Sequence, residues 1–212
     1  MIIAIDGPAS SGKGTLAERI ALHYGLDHLD TGMLYRGVAR KLMETGEDLG
    51  DTAAAERAAR SLDLARLNDP ALRARRMGEA ASVVAQIPAV REVLLEMQRG
   101  FTERRAGAVV EGRDIGTVIF PDADVKLYIT ADLGERARRR YQELIARGET
   151  TTEEAVYADL EKRDRRDQSR TTSPLRMAED AHLLDTTKLD IETAFFAAVR
   201  LIEAAMGRPS QT

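Results

Sequence analysis

Gly7-Pro8-Ala9-Ser10-Ser11-Gly12-Lys13-Gly14-Thr15 follows directly on the apolar run Ile2-Ile3-Ala4-Ile5. A glycine-rich loop between a buried strand and a helix start aims several backbone N–H groups at one anion, and the helix dipole adds positive charge. Lys13, near the helix start, supplies a mobile cation for the outer phosphates of a nucleotide. The spacing Gly-x4-Gly-Lys in this strand–loop–helix setting predicts a phosphate-binding loop over residues 7–15. A glycine-rich turn with a chance lysine is the alternative, and it leaves the setting unexplained.

In most such loops a Ser or Thr directly after the lysine ligates magnesium. Here that position is Gly14, and the hydroxyl comes one residue later at Thr15. One residue is about 100° of helix rotation, so Thr15 is expected to point away from the usual metal direction. Mg2+ is then expected to have no direct protein ligand and to be held mainly by nucleotide phosphates and water. The Gly-Lys-Gly-Thr form resembles nucleoside monophosphate kinases more than GTPases or motor ATPases.

Four further clusters bear on what accepts a phosphoryl group. Asp30-Thr31-Gly32 precedes Tyr35-Arg36 at an expected strand end and helix start. Thr31 either caps that helix or joins Arg36 in a second anion site, and Arg36 on a solvated face remains open. Glu111-Gly112-Arg113-Asp114-Ile115-Gly116-Thr117 follows the strand 108–110. Charges at a strand's carboxyl end face the crevice where ligands bind, which favours a functional role over a surface Arg113–Asp114 pair. Residues 161–176 hold six Lys/Arg against three Asp/Glu in an acidic chain, with Arg163, Asp167 and Arg170 on one helix face. A solvated helix laced with ion pairs is the bland reading; the local charge reversal points instead to a lid closing over phosphates. Lastly, Arg136 and Arg140 share a face that could reach the donor nucleotide, while Arg138 is expected in solvent.

The elements that must position these groups alternate. Strands are expected at 1–6, about 26–30, 108–110, 125–129 and 182–184. Helices are expected at about 13–24, 33–45, 53–60, 80–105 with a break at Ile87-Pro88, 132–147, 152–169 and 190–206. The stretch 61–80 reads as a small irregular insert, and the tail after Met206 as frayed. Alternating β and α with apolar strands implies an α/β fold, a parallel sheet with helices on both faces.

At 212 residues the chain fits one substantial domain. Its 43% hydrophobic content supports a core, and 31% charged residues a solvated surface. A net charge of -4 argues against a general nucleic-acid binder. With no cysteine there are no disulfides or thiolate metal sites, which fits the cytoplasm. The loop begins at residue 7, so no N-terminal signal is expected, and no apolar run approaches membrane-spanning length.

Together the clusters resemble the bacterial cytidylate kinases, a nucleoside monophosphate kinase family. The likeness runs from Ile5-Asp6-Gly7-Pro8 to Leu184-Asp185-Thr186. It rests on Leu29-Asp30-Thr31-Gly32, Tyr35-Arg36, Ala80-Ala81-Ser82, Val90-Arg91-Glu92, Gly112-Arg113-Asp114-Ile115-Gly116-Thr117-Val118, Phe120-Pro121-Asp122-Ala123 and the lid pattern Arg163-Asp164, Arg166-Asp167, Arg170. The resemblance implies a P-loop NTPase fold with a five-stranded parallel sheet, a core at 1–60, 81–150 and 177–206, a short NMP-binding insert at about 61–80, and a helical lid at about 151–176. It implies an ATP-dependent kinase converting CMP or dCMP to CDP or dCDP, cytoplasmic, with Mg2+ as cofactor, usually a monomer.

Carried onto this chain, the resemblance implies that Ser82, Arg91 and Asp114 read the cytosine edge. Asp167 with Arg163 would take the sugar hydroxyls. Thr31, Arg36, Arg113 and Arg170 would hold the acceptor phosphate, and Lys13, Arg113, Arg163 and Arg170 would carry the transfer. Two departures stand out: the insert is shorter than in relatives that carry an extra β-hairpin there, and Glu111 stands where Asp is frequent. Adenylate kinases share Gly-Lys-Gly-Thr but carry Asp-Gly-Phe-Pro-Arg where this chain has Glu111-Gly112-Arg113-Asp114. A shikimate- or gluconate-type kinase would need a carboxylate base, Asp30 or Asp114, and fewer arginines. A non-catalytic nucleotide switch is the remaining class; the guanine-reading Asn-Lys-x-Asp of switch GTPases is missing.

Overall fold

β1 (Ile2–Asp6) is the innermost strand because it is apolar on both faces, with Ile3, Ala4 and Ile5 fully buried. In the computed structural model, which describes residues 1–103 and 106–207, it lies between β3 (Ala108–Gly112) and β4 (Val125–Thr130). β2 (Asp27–Asp30) and β5 (His182–Asp185) complete a five-stranded sheet in the order β2-β3-β1-β4-β5, and every pairing is parallel. The register sets Asp30 opposite Glu111, Ile5 opposite Glu111 and Asp6 beside Gly112 and Tyr128. All these residues stand at the carboxyl edge, where the loops of a parallel sheet gather ligand-binding groups.

One face of the sheet packs Ile3, Ile5 and Leu127 on α1 (Lys13–Tyr24) and α8 (Ile191–Ala205), through Leu16, Ile20, Phe195 and Ile202. The other face packs Ala4 and Val110 against Ile115, with Leu95 and Phe101 of α5 (Pro88–Glu103) beside them. A second helical core joins α2 (Thr31–Thr45), α3 (Thr52–Arg60), α4 (Arg75–Val84) and α5 around Leu34, Val38, Leu42, Val84 and Leu94. α6 (Leu133–Ala146) and α7 (Glu153–Ser169) pair over Ala137, Leu144, Val156 and Leu160, a cluster that includes Ala9 of the loop after β1.

The expected strands and helices are present with shifted ends. α2 starts at Thr31 because the Asp30 carboxylate, not Thr31, accepts the cap hydrogen bond from Gly32 N–H. The stretch expected to be irregular holds two 3-10 turns, Leu64–Asn68 and Pro70–Arg73, each opened by an Asp side chain, and then the start of α4. β3 runs two residues further than the apolar run suggests, and a single π-helical turn follows at Ile115–Ile119. Positions 104–105, the expected end of one helix, and the tail from 208 lie outside the described residues. Among the described residues, no helix is long and apolar enough to cross a membrane.

Asp6 fixes the sheet edge to that π-turn. Its buried carboxylate accepts hydrogen bonds from Ile115 N–H and Gly116 N–H, both at 2.8 Å. Burial pushes its pKa up to about 6 even so. Asp6→Ala strands both donors, and the loss of unfolding free energy, lightened by removal of a buried charge, is expected at about 2–4 kcal/mol. Asp6→Asn keeps one acceptor and should lose less. Denaturant unfolding checks both, and an unchanged midpoint for Asp6→Ala would contradict this role.

Candidate active site

A cavity of about 450 Å³ opens at the carboxyl edge of the sheet. One end is the phosphate loop. Gly7 has φ +151, and a Cβ there would stand 2.0 Å from the Ile129 carbonyl oxygen. Ser10 (φ 61) and Gly12 (φ 86) both take left-handed backbone, which curls the loop back on itself before α1 begins at Lys13. Ala9, Ser10, Gly12, Lys13, Gly14 and Thr15 line the cavity, whereas Gly7, Pro8 and Ser11 stand behind it. The Ser11 carbonyl accepts from the Thr186 hydroxyl at 2.9 Å, which ties the loop to the end of β5.

Lys13 Nζ lies 3.8 Å from Glu111 Oε2. Burial and the nearby Arg113 push its pKa down to about 8, against the pull of Glu111. Glu111 in turn meets His28 Nε2 at 3.3 Å. Burial alone would raise the Glu111 carboxyl, but His28 and Lys13 outweigh it and hold the pKa below its usual value. Asp30 moves the other way, raised by burial and by Glu111. Gly14 offers no hydroxyl, and a Cβ at that position would come within 3.1 Å of Glu111 Oε1. The Glu111 carboxylate thus occupies the space beside the first helical turn.

The other end gathers arginines. Asp167 on α7 receives Arg113 Nε at 3.0 Å and lies 3.8 Å from Arg163 Nε and 3.7 Å from an Arg170 amino nitrogen. Burial would raise this carboxyl; the three guanidiniums hold it below the usual range. Arg36 reaches in from α2 and donates to the Leu72 carbonyl at 2.5 Å rather than to a carboxylate. Arg36 and Arg163 converge over Gly78, since each has a terminal nitrogen 3.5 Å from where a Cβ would stand. Burial, and then the nearby Arg163, push Arg36 down to about 9, and burial, and then Arg113, push Arg163 down to about 10. Arg163 Nε and one Arg170 amino nitrogen are buried without a hydrogen-bond partner. Thr31 joins from the sheet side, its hydroxyl donating to the Glu111 carbonyl at 2.8 Å.

Beside the arginine cluster lies a smaller polar recess, with Arg91 and Asp114 close to Arg170. Arg91 is 6% exposed, donates to the Asp114 carboxylate and the Ala85 carbonyl, and stands 5.5 Å from the Tyr35 ring centre. Ser82 Oγ and Arg91 Nε are buried with no partner. Unsatisfied buried polar groups are costly, and a polar ligand in this recess would relieve that cost.

The α6 arginines differ from expectation in one respect. Arg136 does not line the cavity. Its head is buried and consumed by protein acceptors: the carbonyls of Ala131 (2.9 Å) and Ala9 (3.1 Å) and the Asp164 carboxylate (2.6 Å). Arg140 does line it, as does Arg139, which donates to the Thr186 hydroxyl and carbonyl. Arg138 is exposed and pairs with Glu135, as expected. The sequence groups Arg139 with Arg136, Arg138 and Arg140 but assigns it no role, because its partner is 47 residues away at the end of β5. Arg73 and Arg75 of the insert also line the cavity, and their Ala-rich, charged surroundings carry no motif.

A P-loop on one wall, an arginine cluster facing it and a polar recess beside that cluster define a P-loop phosphotransferase of the nucleoside monophosphate kinase class. The model of the family "Cytidylate kinase" matches residues 3–204. Relatives named cytidylate kinase are 58% identical over 205 residues in Methylocella silvestris (97% of this chain, 95% of that protein) and 56% identical over 207 residues in Brucella suis (98% and 94%). A shikimate kinase structure from Bacteroides thetaiotaomicron shares the fold, with a TM-score of 0.54 at 12% identity over 97% of this chain and 98% of that one. The chain belongs to the cytidylate kinase family.

Lys13 sets a pH limit on the loop. With its pKa near 8 in the free protein, it is charged below that pH and loses the charge above it. ATP affinity is therefore expected to fall as pH rises from 8 to 9.5, approaching tenfold per unit, while Lys13→Met binds weakly throughout with a flatter profile. Calorimetric titration across pH 6.5–9.5 checks this, and a flat wild-type profile would contradict it.

Proposed function

We propose that this protein transfers the γ-phosphoryl group of ATP to CMP or dCMP, giving CDP or dCDP, with Lys13 and the loop 7–15 holding the donor and the arginine cluster holding the acceptor. The observation that carries the reading is the pairing of a phosphate loop with a second, carboxylate-poor arginine site beside a recess whose Ser82 hydroxyl and Arg91 Nε lack partners. Cytosine offers an amine donor beside ring acceptors. Asp114 would accept from the amine, and Arg91 and Ser82 would donate to the acceptors. Asp167 with Arg163 would meet the sugar hydroxyls, and Thr31, Arg36, Arg113 and Arg170 the acceptor phosphate.

The acceptor phosphate is already anionic near neutral pH, so transfer needs no general base. Two phosphates must approach against their repulsion, and guanidiniums at 113, 163 and 170 would offset that charge as it spreads in a loose transition state. Mg2+, when bound, supplies further neutralisation of the donor phosphates. Gly14 has no hydroxyl to offer the ion, so it would be held mainly through nucleotide phosphates and water, with the buried Glu111 and Asp30 carboxylates adding negative charge near Lys13. In this reading residues about 61–80 form the NMP-binding insert and about 151–176 the lid that shuts water out. Arg139 and Arg140 would reach the donor side. A monomer in the cytoplasm that binds no nucleic acid fits the net charge of -4 and the lack of cysteine.

A coupled assay of ADP release with CMP, dCMP, UMP, AMP, GMP and shikimate tests the substrate. Fast turnover confined to CMP and dCMP supports the reading, and preference for another acceptor overturns the cytosine pocket. Arg91→Ala and Asp114→Ala each strand a buried charge, so KM for CMP is expected to rise by roughly 30-fold or more while the ATP dissociation constant stays within about threefold. Equal loss of both would contradict the assignment.

A further inference from the structure

Arg136 does not line this cavity, yet its guanidinium is held by three protein acceptors beside it. Its Nε donates to the Ala131 carbonyl, one amino group to the Ala9 carbonyl and the other to the Asp164 carboxylate. Its side chain is 6% exposed and that of Asp164 13%. Those three acceptors belong to the end of β4, the phosphate loop and the middle of α7. We propose that Arg136 is a positioning residue that holds the Ala9–Ser10 peptide of the phosphate loop in its anion-binding orientation and, through Asp164, sets the lid helix in register with that loop.

The physical basis is the rigidity of the peptide unit. The Ala9 carbonyl and the Ser10 N–H lie in one plane and point in opposite directions. Arg136 pulls the carbonyl backwards, and so the N–H is aimed forwards, on the side where Ser10 lines the cavity. The same peptide precedes Ser10 at φ 61, a left-handed conformation that a non-glycine residue holds only when its surroundings impose it. The Arg136 hydrogen bond is one such restraint. Packing of Ala9 against Ala137, Val156 and Leu160 is the other, and it involves the same two helices.

Asp164 gives the lid its share. It sits between Arg163, whose head reaches the acceptor end, and Asp167, one turn onward. Rotating α7 by a fraction of a turn would carry Arg163, Asp167 and Arg170 off the cavity together. A buried ion pair fixes such a setting better than apolar contact does, because any other setting leaves a charge unpaired. Arg136 thus joins by hydrogen bonds the loop proposed to bind ATP and the helix proposed to close over it.

The inference rests on the proposed donor role of loop 7–15, and it is tested on the full-length protein with Arg136→Lys, Asp164→Asn and Asp164→Ala. Lysine keeps the charge but cannot span three acceptors. Arg136→Lys is expected to weaken ATP binding and lower kcat, each by on the order of tenfold to a hundredfold, with KM for CMP at saturating ATP within about threefold. Asp164→Asn, which keeps an acceptor oxygen, should stay close to wild type. Asp164→Ala should lower kcat more than ATP affinity, and the double variant Arg136→Lys/Asp164→Ala should be no slower than the worse single one.

A merely structural role would lower the melting temperature and leave kcat and ATP affinity per folded molecule within about twofold; that result overturns the proposal. So does a loss that falls on CMP KM alone. If Arg136→Lys fails to fold, the split between Asp164→Asn and Asp164→Ala decides, and equal kcat in the two rejects the lid half. Wild-type turnover and ATP binding are measured alongside. A wild-type protein that binds ATP but ignores CMP would reject the acceptor reading and leave the Arg136 comparison, read in ATP affinity, intact.

Discussion

The crowding of guanidiniums around one buried carboxylate is the constraint on which the rest of the site depends. Asp167 faces Arg113, Arg163 and Arg170, and Arg36 stands beyond them with only a carbonyl partner. Two like charges about 4 Å apart repel by about 4 kcal/mol at an effective dielectric of 20. A folded chain tolerates this surplus only if rigid elements hold the arginines together and an anion relieves them during use. Burial lowers Arg36 and Arg163 most, and neighbouring guanidiniums, Arg163 beside Arg36 and Arg113 beside Arg163, push them further the same way.

The architecture follows from supplying those arginines from separate elements. Arg36 comes from α2, Arg113 from the end of β3, and Arg163 and Arg170 from α7 and its end. Asp30 caps α2 and so starts it one turn before Arg36. Asp6 holds the turn after Asp114, and Arg136 pins α7 at Asp164. α4 and α7 are also joined directly, by Arg75 to Asp159 at 2.7 Å and Arg166 to Glu79 at 2.8 Å. The stretch 61–80, with its two 3-10 turns and the start of α4, is thereby tied to α7.

The loop, the parallel character of the sheet and the clustering of the residues at 113, 114, 163, 167 and 170 were legible because each depends on local pattern: apolar runs, Gly-x4-Gly-Lys, a strand's carboxyl end or a helical face; Ser82 and Arg91 stood out only through the likeness to cytidylate kinases. Arg136 misled for an equally local reason. Its i,i+4 relation to Arg140 is real, but its partners Ala9 and Asp164 lie 127 and 28 residues away. Which of two guanidiniums on one helix meets solvent, ligand or backbone is decided by tertiary acceptors that no window contains. The π-turn at 115–119 was hidden for the same reason, since its N–H groups are held by Asp6 across 109 and 110 residues. Thr31 shows the converse case: the cap position was right by region, but Asp30 took it and freed the hydroxyl for the Glu111 carbonyl.

The central claim is that the arginine surplus exists to receive the phosphate of the acceptor. Its most direct test is calorimetric titration of the nucleotide-free protein with CMP and with cytidine at pH 7.5. Two or more charge-assisted hydrogen bonds at about 1.5–3 kcal/mol each should make CMP bind at least about a hundredfold more tightly than cytidine. Cytidine binding within about threefold of CMP would mean that the arginine cluster serves some other charge, and the account of this site would fail.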